Sequence, residues 1–344
     1  MNRNQKTLLA AAGVGVSLAG SLIFRNKKAN LRGRVVLITG GSRGLGLALA
    51  REFAGEGARI VICARDDREL ARAQQDLESR GAEVMALRCD VANKGSVDET
   101  IREASERFGP IDVLVNNAGV MQVGPVESMT LEDFEQAMNV MFWGVVYPTL
   151  AVLENMVGRR SGRIVNITSI AGKVSVPHMM PYNCAKFAAV GFSEGLRAEL
   201  SGKGVSVTTI APGLMRTGSY LNALFKGQEE DEAAWFSLSA SRPLVSISAE
   251  RAAKQIVEAT RTGQSERILT APAKVLARAH GVAPGVTADI LGMVARVLLP
   301  EAIKATRRSR GRRLPRLQLP WMRIALFLGR RAARRLMQPA AARA

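Results

Sequence analysis

The sequence predicts a doubly wound α/β fold, built on a parallel seven-stranded sheet with helices on both faces. Three observations support this prediction. Short β-branched runs alternate with stretches of helical length and periodicity, and the interiors of those runs are continuously apolar. Continuous apolar runs are typical of strands that are buried on both faces of a parallel sheet. No linker rich in Pro, Gly or Ser interrupts residues 35–270, which indicates a single domain.

The elements follow one another in a regular order. The predicted strands are VVLITG (35–40), RIVICA (59–64), EVMALRCD (83–90), IDVLVNN (111–117), GRIVNITS (162–169), VSVTTIAPG (205–213) and RILT (267–270). The predicted helices are 44–55, 67–80, 94–108, 131–157, 181–201 and 249–262. We therefore expect a domain over 31–270, a hydrophobic segment over 1–30 and a helical, basic C-terminal extension over 271–344.

The N-terminal stretch from Thr7 to Phe24 contains 18 residues without a charge. As a helix it would span roughly 27 Å, which is close to the bilayer core of about 30 Å. More positive charge follows the stretch than precedes it, so we expect a membrane anchor with the rest of the chain on the cytoplasmic side. The alternative is a cleaved signal peptide, because Ser17-Leu18-Ala19 is an acceptable small-residue cleavage site.

The net charge of +18 resides in the two ends of the chain. Residues 1–34 carry seven Lys/Arg and no acid, residues 301–344 carry 13 Lys/Arg and one acid, and residues 35–300 carry 28 basic against 29 acidic residues. A neutral body argues against a nucleic-acid-binding function. The three cysteines form no CxxC pair and do not cluster with the two histidines, so we expect neither a disulfide scaffold nor a metal site.

A glycine-rich turn follows the first strand and opens the first helix. Such a turn lets the backbone approach a pyrophosphate, and the helix N-terminus offers free N–H groups. The residues expected to meet the cofactor there are Thr39, Gly40, Ser42, Arg43, Gly44, Leu45 and Gly46. At the carboxyl ends of the third and fourth strands, the expected cofactor contacts are Asp90, Val91, Asn117, Ala118 and Gly119.

The second strand predicts the choice of cofactor. It ends at Cys63-Ala64-Arg65, without the carboxylate that would bind the ribose hydroxyls of NAD. Arg65 and Arg43 are guanidinium groups suited to a 2′-phosphate, so we expect NADP(H). The alternative is that both arginines are ordinary surface residues and that Asp66 serves the ribose.

Ser169, Tyr182 and Lys186 predict the chemistry. Tyr182 and Lys186 lie four residues apart and share one face of a helix, and Ser169 ends the fifth strand. A nearby ammonium favours phenolate, so we expect Lys186 to lower the pKa of Tyr182 and make it a usable acid or base. Ser169 would stabilise charge that develops on a substrate oxygen.

These motifs resemble those of the short-chain dehydrogenase/reductase family, with its TGxxxGxG, NNAG and YxxxK patterns, over about residues 33–270. The resemblance implies a Rossmann fold and hydride transfer between nicotinamide and a carbonyl or secondary alcohol. It also implies that Asn139 holds a water that relays protons to Lys186, and that Lys186 binds the nicotinamide ribose. Pro212, Gly213 and Thr217 would meet the nicotinamide. Homodimers or homotetramers are a further implication.

The resemblance also implies that the segment from Leu214 to Leu244 forms a substrate lid. Its large apolar side chains favour a lipophilic substrate such as a steroid, a retinoid or a long-chain acyl or keto lipid, and they are Leu221, Leu224, Phe225, Trp235 and Phe236. The alternative is that these side chains pack a helix pair onto the body. The alternative function is a catalytically idle, membrane-associated NADP(H) sensor or scaffold.

The C-terminal segment from Trp321 to Met337 predicts a basic amphipathic helix. Its apolar face would consist of Trp321, Ile324, Leu328, Ala332 and Leu336, and we expect this face to contact a membrane. Packing on the body and a disordered tail that binds nucleic acid are the alternatives.

Overall fold

The computed structural model describes residues 28–338 except 244, 304, 306 and 307. The predicted N-terminal anchor lies outside the described residues. The strands are β1 (Val35–Thr39), β2 (Arg59–Ala64), β3 (Val84–Arg88), β4 (Val113–Asn116), β5 (Gln122–Val123), β6 (Gly162–Ile167), β7 (Val205–Ala211), β8 (Leu214–Arg216), β9 (Leu224–Phe225), β10 (Ser246–Ser248), β11 (Glu266–Ile268) and β12 (Ser309–Arg310).

The helices alternate with these strands as predicted. They are α1 (Gly44–Gly55), α2 (Asp67–Glu78), α3 (Lys94–Phe108), α4 (Leu131–Met138), α5 (Gly144–Gly158), α6 (Met180–Glu199), α7 (Glu229–Ser241), α8 (Ala249–Thr262), α9 (Ala271–Val282), α10 (Pro284–Leu298), α11 (Pro320–Ala325) and α12 (Phe327–Arg335). A π-helical segment, Asn139–Trp143, joins α4 to α5.

The main sheet has seven parallel strands in the order β11-β7-β6-β4-β1-β2-β3. The chain first extends the sheet from β1 to β3 and then returns to place β4 on the other side of β1. This reversal opens a crevice at the carboxyl edge, where open α/β sheets bind ligands. The predicted doubly wound fold is confirmed.

Each face of the sheet carries its own apolar core. One core joins Val36, Ile38, Ile60 and Ile62 to α1, α2 and α8, and the opposite core joins Val35, Leu37 and Val61 to α3, α5 and α6. Successive side chains of a strand point to opposite faces, so a strand covered on both sides must be apolar throughout. Burial on both faces therefore accounts for the uninterrupted apolar runs in the sequence.

A third core joins the predicted lid to the C-terminal extension. Its buried side chains come from the lid, the neighbouring loops and the last helices: Val123, Met179, Tyr220, Leu221, Ala223, Phe225, Ala233, Ala234, Phe236, Leu314, Leu317, Met322, Leu326 and Ala333. Two small strand pairings connect the same parts, since β9 lies between β5 and β12. The extension is thus part of the folded body.

The predicted amphipathic helix over 321–337 is two helices, separated at Leu326. The side chains that dock on the body are those of Met322, Leu326, Ala333 and Leu336, whereas Trp321, Ile324 and Leu328 are exposed. Of the predicted apolar face, Leu336 is thus used in packing, and Trp321, Ile324 and Leu328 stay at the surface, where the membrane contact remains a prediction. Packing on the body, the alternative weighed above, describes this segment.

Helices α9 and α10 form a hairpin with little buried surface. Ala273 is the one fully buried side chain of α9, and Thr287 is that of α10. The exposed apolar side chains of the hairpin are Val275, Val282, Val286, Ile290, Met293, Val294, Val297 and Leu298.

Elsewhere in the described chain, the stretch Leu131–Gly158 has the length and hydropathy to cross a membrane, but half of its most apolar window is buried inside the domain.

Candidate active site

The glycine-rich turn lies at the reversal point of the sheet. Gly40 has φ +65°, a left-handed conformation that favours glycine, and a Cβ on Gly40 would lie 2.9 Å from the Cα of Ala118. A Cβ on Gly46 would lie 2.1 Å from the carbonyl oxygen of Gly40. The turn therefore has to be built from glycine, which brings backbone rather than side chains to the crevice.

Polar side chains brace this turn from below. The Thr39 hydroxyl accepts hydrogen bonds from the N–H groups of Asn117 and Ala118, at 2.9 and 3.1 Å. The Asn117 amide donates to the carbonyl oxygens of Thr39 and Gly40, at 2.9 and 3.1 Å. Thr39 is buried and acts on the shape of the turn, which is a different role from the cofactor contact that the sequence predicts.

The two predicted phosphate-binding arginines differ in their surroundings. Arg43 forms a salt bridge with Glu69, in the first turn of α2, and Glu69 also accepts from Ser42 at 3.2 Å. Arg65 is exposed and has no ion-pair partner among the described residues. Asp66 caps α2 by accepting from the Glu69 N–H at 3.0 Å. Its side chain therefore has a structural task, which weakens the alternative that Asp66 serves the ribose.

Asp90 and Val91 form the side of the crevice below α5. The Asp90 carboxylate accepts from the Ala92 N–H at 3.1 Å, which fixes the turn after β3. A Cβ on Gly144 would approach the Val91 side chain to 2.8 Å, so glycine is required where α5 crosses this turn.

Ser169, Tyr182 and Lys186 come together as predicted, from the end of β6 and the first turns of α6. Lys186 is 4% exposed, and its ammonium donates to the Ile167 carbonyl oxygen at 2.8 Å. It lies 5.8 Å from the centre of the Tyr182 ring. The Ser169 hydroxyl accepts from the Ala171 N–H at 3.1 Å, and its own proton remains available for another acceptor.

Burial sets the protonation of this cluster. It raises the pKa of Tyr182, and hydrogen bonding with Ser169 offsets part of that rise. It lowers the pKa of Lys186 to about 8. The expectation that Lys186 lowers the pKa of Tyr182 is therefore wrong for this arrangement, because loss of water from around the phenol dominates. Tyr182 keeps its proton at neutral pH.

The predicted role of Asn139 does not fit the structure. Asn139 is exposed, and the crevice is lined from this helix by Gln136, Val140 and Met141. The reason is the π-helical segment that begins at Asn139, because an extra residue in a helical turn changes which side chains face inward. A side chain at the surface cannot hold water beside Lys186.

Of the three residues predicted to meet the nicotinamide, one lines the crevice and two do not. Thr217 is buried, lines the crevice and accepts from the Ser219 N–H at 3.2 Å. Pro212 and Gly213 do not line the crevice: the Pro212 carbonyl accepts from the Ile170 N–H, and a Cβ on Gly213 would lie 2.3 Å from the Thr270 hydroxyl. These two residues position β7 against the start of α9.

The apolar lid residues are mostly occupied by packing. Leu221, Phe225 and Phe236 are buried in the core shared with the extension, and Leu224 lines the crevice. A buried ion pair between Lys226 and Asp133 fixes the lid to α4, and a 2.6 Å hydrogen bond between His178 and Glu232 fixes it to the loop before α6. The alternative interpretation of the lid, packing on the body, thus describes most of these side chains.

The resulting crevice has a volume of about 580 Å³. Of the predicted site residues, those that line it are Gly40, Ser42, Arg43, Gly44, Leu45, Gly46, Arg65, Asp90, Val91, Asn117, Ala118, Gly119, Tyr182, Lys186 and Thr217. The described residues contain no cluster of potential metal ligands.

The sequence analysis missed the contribution of the C-terminal extension. Arg310, Arg312 and Gln338 reach the crevice from this segment. The extension also contacts the glycine-rich turn directly, because the Gly44 N–H donates to the Leu336 carbonyl oxygen at 2.9 Å. No local pattern in the sequence indicates that these residues and the turn meet.

The fold and this site define a class of protein: an α/β oxidoreductase with a glycine-rich nucleotide loop and a Ser, Tyr and Lys cluster. The sequence profile of the short chain dehydrogenase family matches residues 34–224. The chain belongs to the short chain dehydrogenase family.

Individual relatives agree with this assignment. A dehydrogenase/reductase SDR family protein 7-like of Anopheles gambiae is 37% identical over 221 residues, which cover 63% of this chain and 70% of the relative. An oxidoreductase named SadH of Mycobacterium tuberculosis is 35% identical over 257 residues, 73% of this chain and 92% of that protein.

Solved structures share the fold. A variant of actinorhodin polyketide ketoreductase, solved with NADPH, is 28% identical with a TM-score of 0.62, covering 69% of this chain and 95% of that one. L-sorbose reductase from Gluconobacter frateurii, solved with NADPH and L-sorbose, is 27% identical with a TM-score of 0.63, covering 71% of this chain and 97% of that one.

Proposed function

We propose that this protein is an NADP(H)-dependent reductase of a ketone or aldehyde. The observation that carries the proposal is the cluster of Ser169, Tyr182 and Lys186, in which Tyr182 hydrogen-bonds with Ser169 and lines, with Lys186, the same crevice as the glycine-rich turn. Burial raises the pKa of Tyr182, so its phenol carries at neutral pH the proton that a reduced carbonyl oxygen needs.

The crevice fits a dinucleotide cofactor. Close packing at Gly40 and Gly46 brings backbone rather than side chains to the turn, which is what a pyrophosphate requires. Arg65, which has no ion-pair partner among the described residues, is suited to the 2′-phosphate that distinguishes NADP(H) from NAD(H). Asp90 would border the adenine, and Thr217 would border the nicotinamide riboside. NADPH, when bound, supplies the hydride for the carbonyl carbon.

The residues of the chain perform the proton chemistry. Tyr182 donates its phenolic proton to the substrate oxygen, and the Ser169 hydroxyl donates a hydrogen bond to that oxygen as negative charge develops. The Lys186 ammonium, held on the Ile167 carbonyl, stabilises the negative charge left on Tyr182. Because the pKa of Lys186 is about 8, this stabilisation weakens in alkaline solution.

The crevice favours a lipophilic substrate. The apolar side chains that line the crevice include Val120, Met121, Met141 and Leu224, of which Val120 and Met121 pack on the same apolar cores as Tyr182. Methionine and leucine side chains adapt to apolar ligands of irregular shape and exclude water from the reacting carbonyl. A long-chain or polycyclic ketone fits this lining better than a sugar.

The test is NADPH oxidation by the purified protein with long-chain ketones, steroid ketones, retinal and 3-oxoacyl thioesters. We expect turnover that falls by about 10²–10⁴-fold in Tyr182→Phe, as for loss of a general acid. Tyr147→Phe is the matched control, because this phenol stacks on Trp143 outside the crevice. Turnover that survives in Tyr182→Phe would contradict the mechanism. Tight NADPH binding without turnover would favour the sensor function.

We propose in addition that the protein is held at a membrane with its catalytic domain in the cytoplasm. The uncharged stretch from Thr7 to Phe24 supports an anchor, and the charge that follows it supports the orientation. The exposed apolar side chains of the α9–α10 hairpin support a second contact with the lipid surface. Full-length protein should therefore resist extraction of membranes by alkaline carbonate, and release into the soluble fraction would contradict the anchor.

Flotation with anionic vesicles tests the hairpin, using protein that begins at Lys28 so that the anchor does not dominate. Replacing Ile290 and Met293 by Asp together should weaken vesicle binding, because both side chains are exposed on α10. Replacing Val126 and Leu131 by Asp is the matched control, since these exposed apolar side chains lie on the domain outside the hairpin. Equal binding by the two double variants would contradict lipid contact by the hairpin.

A further inference from the structure

The C-terminal extension reaches the crevice through β12. Arg310 pairs with Leu224 in antiparallel register, and Leu224 is itself a lining residue of the crevice. The next residue, Gly311, is buried, donates to the Ala223 carbonyl at 3.1 Å, and leaves no room for a Cβ, which would lie 2.2 Å from the Tyr220 carbonyl oxygen. These contacts hold the backbone from Arg310 to Arg312 in place, and the residues Arg310 and Arg312 both border the crevice.

These arginines lie in a group of like charges. Partial loss of hydration and the neighbouring cations Arg312, Arg43, Arg313 and Arg65 lower the pKa of Arg310. Within the described part of the chain, the side chains of Arg310, Arg312 and Arg65 have no carboxylate partner. Glu229 and Glu230 share a neighbouring hollow with Arg310, but none of the three arginines forms a salt bridge with them. Several guanidinium groups held close together repel one another, and an anion bound among them would relieve this repulsion.

Other arginines of the extension are paired, which sets this group apart. Arg316 forms a salt bridge with Asp231, and Arg335 forms one with Glu250 at 3.3 Å. The unpaired guanidinium groups therefore do not follow from a general shortage of acids around the extension.

The acids that border the crevice are already engaged. Glu69 holds Arg43, Asp66 caps α2, and Asp90 accepts from the Ala92 N–H. Asp66 and Asp90 keep their charge, but within the described chain neither forms a salt bridge with Arg310 or Arg312, and these two arginines border the same crevice as the end of β2 and the glycine-rich turn.

We propose that Arg310 and Arg312 are phosphate-binding residues, and that the C-terminal extension thereby completes the nucleotide site of this reductase. This inference rests on the proposed use of NADP(H). Guanidinium groups bind phosphate with charge-assisted, bidentate hydrogen bonds, and the 2′-phosphate and the pyrophosphate of the dinucleotide are the phosphates available in this crevice. The Arg43 guanidinium, tied to Glu69, is the less available of the cations.

The experiment measures binding by the full-length protein, without turnover. Titrations with NADPH, NADH, 2′,5′-ADP and 5′-ADP are compared for wild type, Arg310→Gln, Arg312→Gln and Arg310→Lys. Arg323→Gln is the matched control, because Arg323 is an exposed arginine of the same extension outside the crevice. Thermal unfolding of each variant shows whether the fold is retained, and the exposed position of the Arg310 side chain makes that the expected result.

We expect Arg310→Gln and Arg312→Gln each to weaken NADPH binding by about tenfold or more, with Arg310→Lys in between and Arg323→Gln unchanged. A loss confined to NADPH and 2′,5′-ADP assigns the arginines to the 2′-phosphate. An equal loss for NADH and 5′-ADP assigns them to the pyrophosphate. Binding by both glutamine variants that equals that of Arg323→Gln would overturn the inference alone. A wild-type protein that binds none of the dinucleotides would refute the proposed function together with it.

Discussion

Replacing Lys186 by Met separates the cost of burying this ammonium from its use. The pKa of Lys186 falls from the ordinary 10.5 to about 8 because the side chain is buried. At 1.36 kcal/mol per pKa unit, the protonated form is disfavoured in the fold by about 3 kcal/mol at neutral pH. Lys186→Met removes that cost and gives up one charged hydrogen bond, to Ile167, worth about 1.5–3 kcal/mol. We therefore expect Lys186→Met to be as stable as wild type or up to about 2 kcal/mol more stable.

The pH dependence gives the sharper test. Between pH 8 and 10.5 the unfolded chain binds more protons at this lysine than the folded protein does, so the stability of wild type rises with pH across this window. The variant lacks this contribution. The free energy of unfolding of wild type minus that of Lys186→Met should accordingly increase by about 2–3 kcal/mol between pH 7 and pH 10.

Urea denaturation at both pH values measures this difference, and an NADPH assay on the same samples measures the accompanying loss of turnover. Lys203→Met, at an exposed lysine, controls for removal of a positive charge. A difference that stays constant with pH would refute the assignment of the low pKa to Lys186. So would a variant destabilised by several kcal/mol, because the ammonium would then contribute net stability.

Two further predictions concern the extension and the lid. Leu326→Ala should destabilise the protein by about 2–5 kcal/mol in denaturant unfolding, because Leu326 is fully buried in the third core, while Ile324→Ala, at a side chain 77% exposed, should change stability little. Equal effects of the two would contradict docking of the extension. Asp133→Asn should cost about 3–5 kcal/mol because it leaves the Lys226 ammonium buried and unpaired. Burial raises the pKa of Asp133, but hydrogen bonds from Lys226 and Thr130 outweigh burial and hold this pKa below the ordinary 3.8. The stability that the ion pair contributes is therefore present above about pH 4 and is lost as acid protonates Asp133. A variant as stable as wild type at pH 7 would show that the ion pair does not hold the lid.

Local sequence patterns determined the fold and most of the crevice. Strands buried on both faces require continuous apolar runs, and a parallel sheet requires helices between them, so β1 to β4 and their helices can be predicted from spacing alone. The glycine-rich turn and the spacing of Tyr182 and Lys186 are also local, since a turn and one helical face fix their geometry. These features predicted the short chain dehydrogenase family correctly.

Tertiary structure decided what depends on distant contacts. A π-helical turn moved Asn139 to the surface and Met141 to the crevice, which no residue spacing indicated. Desolvation, which exists only in the packed protein, set the pKa of Tyr182 in the opposite direction to the one expected from its lysine.

The extension shows the same division most clearly. Its composition predicted arginines on an amphipathic pattern, but not that Leu326 would close a core with the lid or that Arg310 would reach the nucleotide crevice. Arg310 and Arg65 are distant in the chain, and they approach each other because β12 adds to β9. Pairing between such segments depends on the surfaces that the folded body presents, so the sequence by itself determined the local elements and the fold decided their partners.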